Sequence, residues 1–286
     1  MKTKILQMGA DNFGAGGRSV IAYNLTRPLT NDFQVDFLAI GKLKNPSFHR
    51  IIEENGGHVQ HVKEVSSKIK RLRSIYSILK KEKYDIVHIN ADDAIEGLFN
   101  IILSKLSGAK IVLHAHTTSS SRGEGFIGRL KMLSAKKIVN FLVDYKLACS
   151  LEAADYLYGD TDLSDVAIIK NGIIINDFLY NEELRQKVRE NLNIPMEAIV
   201  LGTIGRLSYE KNPEFMVSLI QTLFSKAPNF YFIWIGDGEE RASIEKKLDE
   251  EIKSGRVLLL GKQEQPAQYL QAMDVFLLPS LYEGFG

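Results

Sequence analysis

The sequence predicts an α/β protein made of two doubly wound units that face one cleft, each unit a parallel sheet covered by helices. Three observations carry this. Short apolar runs alternate with helical patterns from one end to the other. The pattern then restarts after Asn171-Gly172 and a variable stretch to about Pro195. Finally, 45% apolar and 25% charged residues are the proportions of an ordinary globular chain, and 286 residues suffice for two cores. The restart sets the units at residues 1–180 and 181–286.

In the first unit, residues 4–8, 35–40, 86–89, 111–113, 146–148 and 167–169 read as buried parallel strands separated by helical segments. Residues 199–204, 231–235, 257–260 and 275–278 do the same in the second. The clearest helix starts at Asn212, a favourable N-cap, with Pro213 in its first turn. Phe215, Met216, Leu219, Ile220, Leu223 and Phe224 recur on its core face. A second amphipathic helix follows Gly236-Asp237-Gly238 and places Ile244, Leu248 and Ile252 on one side.

Net charge is only +1, but it is unevenly spread. Residues 1–180 hold 24 Lys/Arg against 19 Asp/Glu and residues 181–286 hold 12 against 16, so the halves carry +5 and −4. The first half therefore has the better claim on an anionic surface. A single cysteine, Cys149, excludes an intramolecular disulfide, fits a reducing compartment and sits among apolar neighbours as a structural thiol. No apolar run reaches the ~18 residues that span a bilayer, and Met1-Lys2-Thr3-Lys4 leads into a strand rather than a signal-peptide core. The expected location is the cytoplasm, with at most peripheral contact at the inner face of the plasma membrane. No nucleic-acid partner is expected.

Gly205-Arg206-Leu207-Ser208-Tyr209-Glu210-Lys211-Asn212-Pro213 places two cations after an apolar strand and before a helix. Guanidinium, ammonium and helix-start N–H groups at the carboxyl edge of a parallel sheet suit a phosphate. Downstream, Glu283 stands in a loop where Gly284 and Gly286 flank Phe285, which allows the backbone to come close to a ligand. The N-terminal turn from Gly9 through Gly16, Gly17 and Ser19 nearly spells a dinucleotide fingerprint. Ser19 stands where a third small Gly or Ala belongs and Asp36 lies inside the second strand, so a nicotinamide site is disfavoured.

His114 and His116 end the strand read at residues 111–113; their imidazoles are expected to leave it in opposite directions, which makes a poor two-ligand metal site. Asp160-Thr161-Asp162 imitates a metal-binding Asp-x-Asp but sits in a polar turn, and no metal is expected there. Basic and apolar residues interleave over 68–81, where Leu72, Ile75, Ile78 and Leu79 read as the buried side. A second set, Arg122, Arg129, Lys131, Lys136 and Lys137, surrounds Phe126, Ile127 and Leu130. Each is an amphipathic surface helix or a face for an anionic membrane.

The paired segments Gly205-Arg206…Lys211-Asn212-Pro213 and Pro279-Ser280…Glu283-Gly284-Phe285-Gly286 resemble those of retaining glycosyltransferases of family 4, which have the GT-B fold of two Rossmann-like domains. The resemblance covers essentially the whole length. It implies an acceptor-binding first domain and a second that binds a nucleotide sugar with UDP as carrier. It also implies a retaining, metal-independent transfer to a growing glycan or lipid-linked acceptor, as in capsule, exopolysaccharide or lipopolysaccharide assembly. No cofactor is implied beyond the nucleotide-sugar substrate.

By the same resemblance, His116 and Glu283 are the catalytic pair that reads the sugar, and Gly284 and Phe285 help hold sugar and phosphate. Gly16 and Gly17 face the donor phosphate, while Gly205, Arg206 and Lys211 hold the diphosphate. The family's second Glu would lie beyond Gly286, so the second domain is expected to be incomplete and the chain an inactive fragment. The residues alone leave open a sugar-nucleotide epimerase, an inverting transferase on the same scaffold, or an inactive partner that binds sugar nucleotide.

Overall fold

The computed structural model describes residues 2–9, 16–29, 32–41, 46–63, 67–119, 125–159, 162–226 and 229–283. The chain divides into Met1–Ile173 and Ile174–Tyr282, with Glu283 grouped with the first unit. The sequence reading put the boundary after 180. The segment before it belongs with the second unit because Gln271 accepts from the Asn181 N–H at 2.9 Å and donates to the Leu179 carbonyl at 3.0 Å.

In the first unit β1 (Thr3–Met8), β2 (Phe33–Ile40), β3 (Val59–Val62), β4 (Ile86–Ala91), β5 (Lys110–Ala115), β6 (Tyr145–Ala148) and β7 (Val166–Ile168) alternate with helices. These are α1 (Gly17–Thr26), α2 (Pro46–Glu54), α3 (Lys68–Glu82), α4 (Ala94–Ser107), α5 (Gly125–Leu142) and α6 (Leu151–Tyr158). Among the described residues the sheet is parallel, in the order β3-β2-β1-β4-β5-β6-β7. Leu6, Val87, Ile89, Ile111 and Leu113 on one face pack with Ile75, Leu79, Ile101, Val139 and Leu157 from α3–α6. On the other face Phe37 and Ala39 meet Ala22, Phe48 and Ile52 of α1 and α2, with Phe37 and Phe48 edge to face at 6.1 Å. Burial of this apolar area drives the unit together. Cys149 is buried, and that burial raises its thiol above the ordinary range, as a structural thiol requires.

The second unit holds α7 (Glu182–Asn191), β8 (Ile199–Ile204), α8 (Pro213–Lys226), β9 (Phe230–Ile235), α9 (Arg241–Lys247), α10 (Asp249–Lys253), β10 (Val257–Gly261), α11 (Pro266–Leu270) and β11 (Val275–Phe276). Its sheet runs β10-β9-β8-β11, all parallel among the described residues. A fully buried guanidinium organises one end. Arg189 donates to the carbonyls of Ala272, Met196 and Ala198 and to the Asp274 carboxylate at 2.9 Å, while Asp274 also accepts from the Val200 N–H at 2.7 Å.

Several local expectations change. Asn212 stands at the start of α8, where its carbonyl accepts from the Met216 N–H at 3.4 Å, but it lies in the left-handed region (φ 55°), closes the turn Tyr209–Lys211, and donates its side-chain amide to the Pro279 carbonyl at 3.2 Å. Helix α8 buries Met216, Val217, Ile220 and Phe224, whereas Phe215 is 50% exposed, because the stripe begins at Pro213 and not at Phe215. The helix expected across Ile244, Leu248 and Ile252 breaks at Leu248 into α9 and α10, though Ile244 and Leu248 stay buried. Residues 275–278 read as a buried strand, but among the described residues β11 is an edge strand paired with β8, and Val275 and Phe276 are about half exposed.

Candidate functional site

In the second sheet the strand order reverses between β8 and β11, so the loops that leave these two strands diverge and open a crevice at their carboxyl ends. A shallow, solvent-open cleft lies there, lined by Thr203, Gly205, Arg206, Lys211, Trp234 and Ser280 among others. Gly236 makes the loop after β8 possible. It holds φ 136°, and a Cβ on it would lie 1.8 Å from the Gly205 carbonyl oxygen. Leu207 N–H then donates to Asp237 O at 3.2 Å and Glu240 N–H to Leu207 O at 3.0 Å. On the other side Asn212 holds Pro279, and Leu281 N–H donates to Glu210 O at 2.8 Å. The cationic loop is thus tied to both neighbours.

Arg206 is exposed and pairs with Glu239 at 3.3 Å, a solvent-screened contact that a doubly charged ligand can replace. Glu210 is held below the usual carboxylate range first by the Ser208 hydroxyl, then by backbone N–H, with Arg206 and Lys211 adding attraction. The Ser280 hydroxyl is buried with no hydrogen-bond partner among the described residues. Two cations and an unpartnered hydroxyl at a sheet's carboxyl edge can hold a diphosphate and stabilise charge as it departs.

The first sheet reverses order between β1 and β4. On the face toward α1 a polar stripe crosses the strands: Gln7 of β1, His88 and Asn90 of β4, then His114 and His116 at the end of β5. His88 and His114 stack at 5.5 Å, and the His114 and His116 rings are 4.2 Å apart. The two imidazoles therefore share a face, contrary to the expectation of opposite directions, because residues two apart on a strand project the same way. Burial holds all three neutral. It lowers His88 to about 3, with help from His114, and His114 to about 4. His116 falls to about 2 through burial first, then His114, His88 and the Arg18 guanidinium. Among the described residues no three or more His, Cys, Asp or Glu are placed to hold a metal ion.

Of the residues singled out in the sequence, Gly205, Arg206 and Lys211 come together in the one cleft. His116 lies in the other unit's polar stripe, half-buried. Gly16 precedes α1, where the Ser19 hydroxyl donates to its carbonyl at 3.0 Å, and Gly17 is exposed with open space beside it. Glu283 is exposed and is not among the residues lining the cleft. Gly284 and Phe285 lie outside the described residues, as do Asp160 and Arg122. Asp162 caps the turn Leu163–Asp165 by accepting from the Ser164 N–H at 2.9 Å. Asp36 is buried and accepts from the Tyr84 hydroxyl at 2.7 Å and the His58 N–H at 2.9 Å, so it has no ribose to reach. Sequence reasoning missed Gln7, His88, Asn90 and Ser280; polar residues spaced by two in an apolar strand, as at 88 and 90, were the available signal.

Residues 15–177 match the family described as Glycosyltransferase Family 4, and residues 184–286 that described as Glycosyl transferases group 1. EpsF, a putative glycosyltransferase of Bacillus subtilis (strain 168), is 26% identical over 277 residues, spanning 94% of this chain and 71% of that protein. The Escherichia coli UDP-Gal:alpha-D-GlcNAc-diphosphoundecaprenol alpha-1,3-galactosyltransferase is 29% identical over 231 residues, spanning 76% of this chain and 57% of that one. Among solved structures, Anabaena Alr3699/HepE in complex with UDP-glucose has a TM-score of 0.76 at 18% identity over 97% of this chain and 74% of its own. At that identity the likeness shows the fold, two Rossmann-like domains of the GT-B kind.

Proposed function

The chain belongs to glycosyltransferase family 4, and from that premise we propose that it moves a sugar from a UDP-linked donor to a growing glycan or lipid-linked acceptor with retention at the anomeric carbon. The observation that carries the reading is the cleft at the reversal of the second sheet, where Arg206, Lys211 and the Ser280 hydroxyl converge. Support for UDP as the carrier comes from the Escherichia coli relative, a galactosyltransferase that uses UDP-Gal, and from the UDP-glucose bound to the Anabaena neighbour.

In this reading the second unit holds the diphosphate and the first holds the acceptor, while His116 and Glu283 read sugar hydroxyls. Gly16 and Gly17 approach the donor phosphate, and Gly284 and Phe285 contribute backbone. The bond from the anomeric carbon to the diphosphate oxygen breaks as the acceptor oxygen bonds to the same face. The acceptor proton passes to the departing diphosphate, whose growing charge Arg206 and Lys211 stabilise. The exposed apolar and basic residues of α5 offer a contact to an anionic membrane that carries a lipid-linked acceptor. No described helix is long and apolar enough to cross a membrane.

A panel of nucleotide sugars screened by ligand-induced melting shift tests the donor, since a tight binder stabilises the folded state by mass action. UDP and one UDP-sugar are expected to raise the melting temperature, and NMR of the transfer product should show the donor's anomeric configuration kept. No stabilisation by any uridine nucleotide would sink the reading. An inverted product or an epimerised donor would move it to another chemistry on the same scaffold.

A further inference from the structure

The side-chain amide of Asn90 faces three groups, and their chemistry fixes which way it points. Its nitrogen lies 3.1 Å from the Met8 carbonyl and 3.0 Å from Gln7 Oε1. A main-chain carbonyl only accepts, so this side of the amide is Nδ2 and the opposite atom is the acceptor Oδ1. Oδ1 sits 2.8 Å from His116 Nε2. That nitrogen must therefore carry the ring proton, and Nδ1 is left as the acceptor. The same logic continues through Gln7, whose Oε1 already accepts from Asn90, so its Nε2 donates to His88 Nδ1 at 2.9 Å.

The backbone of Asn90 is held as firmly as its side chain. Gly9 (φ 78°) lets β1 come so close that a Cβ there would meet the Asn90 carbonyl oxygen at 1.9 Å. Arg18 reaches the same carbonyl at 3.5 Å while pairing with Glu96 at 3.2 Å and Asp92 at 3.5 Å, and Glu96 accepts from the Asp92 N–H at 2.8 Å. Turning the amide over would break two hydrogen bonds and leave buried groups unsatisfied. Protonating His116 to escape the constraint is opposed by burial and by the facing His114, His88 and Arg18.

We propose that Asn90 is a positioning residue: locked by Met8 and Gln7, it fixes His116 as the Nε2–H tautomer, so that the ring meets a hydroxyl of the transferred sugar as an acceptor through Nδ1. The proposal rests on the assignment of His116 to the sugar. Nδ1 is buried and has no protein hydrogen-bond partner among the described residues; a hydroxyl is the class of donor it lacks. A site built this way favours sugars that bear the hydroxyl over deoxy analogues, which would leave the acceptor unpaired.

Nitrogen-15 NMR of the imidazoles in the full chain at neutral pH tests it, with His116→Gln identifying the ring signals and Asn90→Leu removing the lock. In the wild type Nε2 of His116 is expected in the protonated range and Nδ1 in the unprotonated range, with no substrate present. In Asn90→Leu the tautomers should mix, and transfer from the UDP-sugar chosen by the panel should fall about tenfold or more through kcat, with UDP affinity kept within about twofold. Gln7→Met, which loosens Asn90 without touching His116, should give a smaller change in the same direction. A wild-type ring protonated at Nδ1, or at both nitrogens, overturns the proposal even if the variants fail to fold. Unchanged transfer in His116→Gln overturns the assignment to the sugar, and is told apart from failure of the Asn90 lock because the tautomer is read without substrate.

Discussion

Arg206 and Lys211 were legible from sequence because their relation is local: a strand, a short turn and a helix start bring two cations five positions apart into the same cleft wall. Gln7 and Asn90 were not, because they meet only through the β1–β4 register that sets Gln7 opposite His88. No local pattern states that register. The clamp makes a direct prediction. Arg206→Ala and Lys211→Ala should each weaken UDP binding about ten- to a hundredfold, the loss expected of a charge-assisted hydrogen bond worth roughly 1.5–3 kcal/mol. Arg206 must first leave Glu239, so Glu239→Gln should hold or raise affinity. Titration calorimetry with UDP checks all three, and full affinity in both alanine variants would remove the clamp.

Helices and strands were legible where periodicity was strong and lost where it was short. β3 escaped because Val59-Gln60-His61-Val62 has only two apolar residues, and it becomes a strand through its parallel pairing with residues 37–40 of β2. α3 and α5 were found as amphipathic helices, and their inward residues Ile75, Leu79, Met132 and Val139 are buried. The outer side of α5 is the less expected feature. Phe126 and Phe141 are 84% and 86% exposed, alongside exposed Ile127, Leu130, Arg129 and Lys131. Isolated exposed apolar residues are ordinary, but this many on one helix mark a contact surface. The full chain should sediment with anionic vesicles more than with neutral ones, and less as salt rises, because surface charges are screened beyond about 10 Å at 0.1 M. Arg129→Glu with Lys131→Glu should abolish the difference. Equal sedimentation with both lipids would return α5 to an ordinary surface helix.

Across the whole molecule, the restart of the strand–helix pattern made two parallel-sheet units legible. Their different response to acid follows only from what each buries. All six histidines lie before residue 117, so the second unit has none. In the unfolded chain an imidazole takes up a proton near pH 6.5, whereas folded His88 and His114 do so only at about 3 and 4. Between these values the unfolded state binds more protons, so the first unit's stability falls as pH drops through 6.5. By pH 5 the loss is roughly 2 kcal/mol for each of these two imidazoles. The second unit's window is lower. Burial raises Asp274, but the Val200 N–H, Arg185 and Arg189 outweigh it and hold the carboxyl below its ordinary value, so its contribution is lost only as pH falls below the usual carboxylate range. The single tryptophan, Trp234, is buried in β9 and reports the second unit alone. From pH 7 to pH 5 the melt followed by tryptophan fluorescence should stay nearly fixed, while circular dichroism develops an earlier transition from the first unit. His88→Gln should recover part of that loss. A fluorescence melt that falls in step with the dichroism, or no shift in either, would show that the buried imidazoles do not set the acid response.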